Sequence, residues 1–291
     1  MTRFLVLGAS GMAGHLIATY LLERGYDVTG FCRRSAPKIY CIEGDAYNVE
    51  QLRTIVEEGS FDVLVNAVGI LNQDAEERKE RAAYLNAYLP HALAALTEGT
   101  PTRLFHMSTD CVFQGNTGPY TENSSPDGKT FYDRSKALGE IDDGKNLTFR
   151  NSIVGPDTNP EGIGLLNWFM RQDGPIKGFS NVLWTGLTTL ELAKAMESAA
   201  TEDASGLVNM VPSVSISKCE LLQLFNRHFR GGSVSVEPVD EPVLDKTLVR
   251  TRRTCSFEPA SYDQQIAELA AWTRSHAELY PHYHLEASYA Q

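Results

Sequence analysis

The chain has 291 residues, 42% of them hydrophobic and 22% charged, and a formal net charge of −11. This composition excludes a disordered or fibrous protein and leaves enough length for a full core and a second lobe. The acidic balance argues against a nucleic-acid partner, so any anionic ligand has to be captured by local basic groups.

In chain order, Phe4 to Leu7 predicts a strand that runs straight into Gly8-Ala9-Ser10-Gly11-Met12-Ala13-Gly14, with a helix from about Met12 through Leu22. Glycines spaced three apart allow a tight strand-to-helix turn, and the helix amino terminus offers free N–H groups. Gly8, Ser10, Gly11 and Met12 are therefore expected around a dinucleotide pyrophosphate. Strands at Val28–Cys32 and Ile39–Ile42, a helix near Val49–Glu57 and a strand at Val63–Asn66 continue a βαβ series. That alternation implies a Rossmann-type, doubly wound parallel sheet.

The second strand ends in Arg33-Arg34, where a fold of this kind built for NAD usually carries an acid for the adenosine ribose. A guanidinium there pairs with a 2′-phosphate, so NADPH is the expected cofactor, with NADH as the alternative; two solvated loop charges are the competing reading. Asp45-Ala46 follows the third strand, and Asn66-Ala67-Val68-Gly69 closes the fourth with small residues where a backbone passes a bound nucleotide. A long helix is expected from about Glu76 to Leu96, kinked at Pro90, then strands at Arg103–Met107 and Leu147–Arg150. Beyond about Pro156 the rhythm changes. Helices are expected at Leu190–Ala199 and Lys218–Phe229, and short strands at Leu207–Met210 and Val234–Glu237, the last stopped by Pro238. The expected organisation is a dinucleotide-binding domain over residues 1–156 and a smaller α/β substrate lobe over 157–291.

The chemistry is expected at Tyr132-Asp133-Arg134-Ser135-Lys136, which puts Tyr132 and Lys136 on one face of a helix, with Ser108-Thr109-Asp110 ending a strand upstream. A phenol of ordinary pKa near ~10 is a poor acid at neutral pH, and an adjacent ammonium is expected to bring it nearer the working range. Thr109 or Ser108 then hydrogen-bonds the carbonyl oxygen that Tyr132 protonates while a nicotinamide delivers hydride to carbon.

These stretches, together with Cys111-Val112-Phe113, Pro119-Tyr120-Thr121-Glu122, Leu138-Gly139-Glu140 and Arg150-Asn151-Ser152-Ile153-Val154-Gly155, resemble the extended short-chain dehydrogenases/reductases, and within them the dTDP-4-dehydrorhamnose reductase group. The resemblance implies a catalytic set of Thr109, Tyr132 and Lys136, with Tyr132, Lys136 and Ile153 near the nicotinamide. It also implies that Ser108, Asp110, Val112 and Phe113 lie close to the sugar, and that Asn86 either supports a proton relay or serves a capping or packing role. The activity it implies is NADPH-dependent reduction of the C4 keto group of a nucleotide-linked 4-keto-6-deoxy sugar. A UDP-linked substrate and a non-catalytic nucleotide-binding regulatory subunit are the alternatives.

Departures from that group concern the substrate. Cys111 stands where the rhamnose enzymes usually have Tyr, Asp133 where a Gly commonly follows the catalytic Tyr, and Ile153 where Trp is frequent; residues 181–189 replace a stretch typical of the group. Lys246, Arg250, Arg252 and Arg253 form a basic cluster that binds either a substrate diphosphate, through Lys246 and Arg250, or only solvent. No metal is expected, since His15 and Leu16 after Gly14 bring no carboxylate and His282 and His284 read as surface residues.

Five cysteines (Cys32, Cys41, Cys111, Cys219, Cys255) without C-x-x-C spacing point to a reducing compartment. Phe4–Leu7 is too short for a signal-peptide core and no stretch reaches a membrane span, so a cytoplasmic monomer or homodimer without a membrane partner is expected.

Overall fold

The computed structural model describes residues 1–285. Seven strands form one sheet in the spatial order Gly206–Asn209, Leu147–Arg150, Arg103–Met107, Val63–Asn66, Arg3–Leu7, Asp27–Cys32, Cys41–Glu43, and every pairing in it is parallel. The period-2 alternation of the first strand explains how the layers form. Phe4 and Val6 point into one buried cluster with Leu16, Ile17, Phe105 and Phe149, while Leu5 and Leu7 point into the opposite one with Phe31, Leu52, Leu64 and Leu93.

The sheet reverses its order between Arg3–Leu7 and Val63–Asn66, which pair in register from Phe4↔Val63 to Leu7↔Asn66. A crevice therefore opens beyond the carboxyl ends of these two strands, where ligands bind in folds of this kind. Two glycines make the crossing possible. Gly8 turns at φ +79°, and a Cβ on Gly14 would lie 2.2 Å from the Gly8 carbonyl oxygen, so the helix Met12–Glu23 rests directly on the loop.

Three sequence expectations are corrected. The third strand is Cys41–Glu43 rather than Ile39–Ile42, because the Gly30↔Cys41 pairing starts the ladder. The long helix is broken into Asn72–Glu77, Lys79–Ala82, a π-helical stretch Ala83–Tyr88 and Leu89–Thr97. Pro90 makes no kink there: it sits in the first turn of the last piece, straight after the wider turns, where a missing N–H is tolerated. Finally, Pro238 lies inside the strand Val236–Val239 rather than ending one. That strand pairs on one side only, with Ile176–Phe179, so the missing N–H breaks no central ladder.

The second half of the chain does not form a separate block. Residues 152–188 and 216–245 build small sheets of two or three strands, yet Gly206–Asn209 returns to become an edge of the main sheet. The helix Thr189–Thr201, capped by Thr188, places Leu192, Ala193 and Met196 in the same buried cluster as Leu16 and Ile17. The helix Lys218–Arg230 starts at Ser217, whose hydroxyl accepts from the Glu220 N–H in a capping box.

Candidate active site

The glycine loop leaves the helix Met12–Glu23 without a side-chain cap at Gly11, so its first N–H groups face the crevice with their hydrogen bonds unspent. Around it, Gly8, Ser10, Gly11, Arg33, Asp45, Ala46 and Ala67 to Gly69 line a cleft of about 270 Å³. The sequence reading missed Arg78 and Arg81, which reach this cleft from the helical segment after the fourth strand. Arg78 is paired with Asp74 at 3.3 Å. Nothing in the local pattern distinguishes these two arginines from a solvated helix face.

Arg33 also borders a second groove with Ser10, Arg34, Thr158 and Asn159. Arg33 and Arg34 are exposed, and neither forms an ion pair among the described residues. Three residues expected at the cofactor do not line the cleft. Asn66 is fully buried, accepting from the Val68 N–H at 3.1 Å and meeting His106 Nδ1 at 3.2 Å, so it shapes the loop from behind. Met12 packs toward Gly164, and Ile153 sits in a strand paired with Leu187.

The helix Phe131–Leu138 carries Tyr132 and Lys136, and a capping box fixes where it begins. Thr130 Oγ1 accepts from the Asp133 N–H, and the Asp133 carboxylate accepts from the N–H groups of Thr130 and Lys129. Asp133, the departure from a Gly, thus holds the amino terminus of the catalytic helix. Asn86 ties the same helix to the fourth strand's exit loop. Its Oδ1 accepts from the Ile70 N–H at 3.0 Å, and its Nδ2 donates to the Ile70 carbonyl and to Ser135 Oγ. All of its amide capacity in this geometry serves packing.

Thr109 ends the strand Arg103–Met107 and its short extension with extended backbone; its hydroxyl accepts from the Cys111 N–H and donates to Asp110 Oδ1 at 3.2 Å. It also faces Tyr132, whose acidity it favours by hydrogen bonding. Burial outweighs that contact and, with Cys111, Asp110 and Asp133 nearby, lifts the phenol above its ordinary pKa. The expected lowering by Lys136 is absent here. Lys136 Nζ donates to the Met107 carbonyl at 2.6 Å, and burial pulls the ammonium down to about 8 against the opposing charge of Glu140. Tyr132 is consequently held as a neutral phenol, the form that can give up a proton.

Behind these groups lies a buried ion pair, Arg150 with Glu140, at 2.5 and 2.7 Å. Ser108 donates to the same carboxylate at 2.6 Å, so its hydroxyl is committed away from any carbonyl substrate. Val112 and Phe113 have no exposed surface; Phe113 stacks on Tyr120 at 4.1 Å and lies under the Arg150 guanidinium. The structure thus places them in a core cluster with Val211 and Leu248 rather than against a sugar. Arg250 is likewise spent inside the chain, donating to the carbonyls of Phe257 and Cys255 at 2.6 Å. Of the predicted basic pair only Lys246 keeps a free head, and it acts on Asp110 together with Lys218, which the sequence reading missed.

A family model described as RmlD substrate binding domain matches residues 2–147. A dTDP-4-dehydrorhamnose reductase of Burkholderia thailandensis is 35% identical over 158 residues, 52% of this chain and 50% of that protein. Methionine adenosyltransferase 2 subunit beta of Danio rerio is 30% identical over 140 residues, 47% of this chain and 42% of the relative. The chain spans about half the length of the curated relatives it matches. Among solved structures, a dTDP-4-dehydrorhamnose reductase from Bacillus anthracis in complex with NADP superposes with a TM-score of 0.77 at 18% identity, covering 94% of this chain and all of that one.

Proposed function

The chain belongs to the RmlD substrate binding domain family, and from that premise we propose that it is an NADPH-dependent reductase of a nucleotide-linked 4-keto-6-deoxy sugar. The observation that carries this reading is the convergence of Thr109, the protonated Tyr132 and Lys136 beside a cleft lined by the glycine loop. The cleft suits a dinucleotide: the uncapped helix end can receive a pyrophosphate, and the unpaired Arg33 and Arg34 can meet a 2′-phosphate. NADPH, when bound, supplies hydride. Every other part of the chemistry falls to the chain itself. Thr109 offers its hydroxyl proton to the carbonyl oxygen, which polarises the carbon, and Tyr132 gives its proton to the same oxygen as negative charge builds there. Lys136 keeps a positive charge near that transfer, opposed from behind by Glu140.

dTDP-4-dehydrorhamnose is the proposed substrate, supported by the name of the Burkholderia relative. The likeness to a methionine adenosyltransferase regulatory subunit supports a second reading, in which the chain binds nucleotide and catalyses nothing. A turnover screen over dTDP-, UDP-, GDP- and CDP-linked 4-keto sugars, following NADPH oxidation, separates them. Consumption with the dTDP sugar is expected, and none with any sugar transfers the case to the regulator.

A further inference from the structure

Lys218 and Lys246 come from opposite sides of the substrate lobe. Lys218 opens the helix Lys218–Arg230, and Lys246 follows the short strand Leu244–Asp245, its stem against Gly115. Both act electrostatically on Asp110, the residue next to the catalytic Thr109, and Lys246 also acts on Cys111, which neighbours Tyr132. Yet neither ammonium forms a hydrogen bond or an ion pair among the described residues.

The carboxylates next to them in sequence are occupied. Glu220 accepts from Ser217, and Asp245 accepts from Thr247. Asp110 is buried and holds a hydrogen bond from Thr109. Two lysines share this single carboxylate, which leaves one positive charge unmatched beside the reacting group. Such a charge in a partly desolvated place is costly unless a ligand anion completes it. Lys218 shows the cost: burial brings its ammonium down to about 8 even though Asp110 and Cys111 oppose the shift. Its head lies 5.0 Å from the centre of the Trp184 ring, and the buried indole N–H of Trp184 also has no partner.

We propose that Lys218 and Lys246 form a two-lysine clamp for the diphosphate of the nucleotide sugar, closing the substrate site opposite Thr109 and Tyr132. The clamp deepens the reductase reading and rests on it. It replaces the Lys246 and Arg250 pair expected from sequence, because the Arg250 donors are taken by backbone carbonyls. A lysine ammonium acts on phosphate as a compact point charge, and two of them from separate elements can grip successive phosphates without bidentate geometry.

Calorimetric titration of dTDP into the wild type and the Lys218→Met and Lys246→Met variants tests the clamp, with NADPH binding as the check on folding. Each variant should weaken dTDP by at least ~10-fold, the effect of one charge-assisted contact. NADPH affinity should be unchanged, and Lys218→Arg should recover most of the loss. Thymidine, which has no phosphate, should bind all variants alike. Unchanged dTDP affinity in both methionine variants, with the wild type still reducing a nucleotide-linked 4-keto sugar, overturns the clamp and leaves the reductase standing. Loss of affinity for a sugar nucleotide with an acidic sugar, but not for dTDP, also overturns it, since the anion would then be on the sugar. A wild type that binds dTDP through both lysines but reduces no keto sugar keeps the clamp as a nucleotide site and removes the reductase.

Discussion

Up to Arg150 the strands lie side by side in one parallel sheet and deliver their carboxyl ends to a common edge, whereas the strands of residues 152–188 and 216–245 pair in twos and threes across long stretches of chain. The first arrangement puts a glycine loop, two arginines and small strand-end residues around one cleft. The second brings single side chains such as Lys218 and Lys246 toward Asp110 from more than a hundred residues away. The family model also stops at residue 147. A binding site for a common cofactor can be built from local pattern, while recognition of a particular substrate is assembled by long-range packing that short motifs do not record.

The comparison implies that the two halves fail separately. The largest effect is expected where they meet, at Tyr132→Phe, which removes one hydroxyl and leaves the ring in its pocket of Ile70, Ala75 and Ala82. Turnover should drop by about 10²- to 10⁴-fold, the usual contribution of a general acid, while NADPH titrates as in the wild type. If steady-state kinetics show more than about a tenth of the turnover remaining, another group delivers the proton.

A smaller effect belongs to the cofactor half alone. Replacing Arg33 and Arg34 together by Ala should raise the Michaelis constant for NADPH about tenfold or more and leave NADH and the sugar nucleotide nearly unaffected. Equal losses for both dinucleotides would mean that these arginines are solvated charges and that the 2′-phosphate, if read at all, is read by Arg81 across the cleft.

The sequence made much of the first half legible because its signals are short. Gly8 to Gly14, Arg33-Arg34 and Tyr132 with Lys136 each lie within one turn or one helix, and the parallel sheet follows from the alternation of strand and helix. Segments that depend on distant partners were misread. The stretch around Asn86 looked like one continuous helix, but the π-helical turns that aim its amide at Ile70 and Ser135 carry no apolar signature. Arg250 counted as a free charge because the carbonyls of Cys255 and Phe257 that hold it depend on how that loop folds back. Val112 and Phe113 were placed near the sugar by resemblance, yet their apolar side chains were needed to pack against Tyr120 and Leu248. Lys218 was passed over as the first residue of a helix, since only the fold shows that this helix points its start at Asp110.

Hydride transfer itself tests the central claim most directly. With NADPH deuterated at the transferring position of the nicotinamide and dTDP-4-dehydrorhamnose as acceptor, mass spectrometry of the product sugar should show one deuterium, located at C4. Product without deuterium, or unchanged sugar in the presence of tightly bound NADPH, would contradict a reductase built on Thr109, Tyr132 and Lys136.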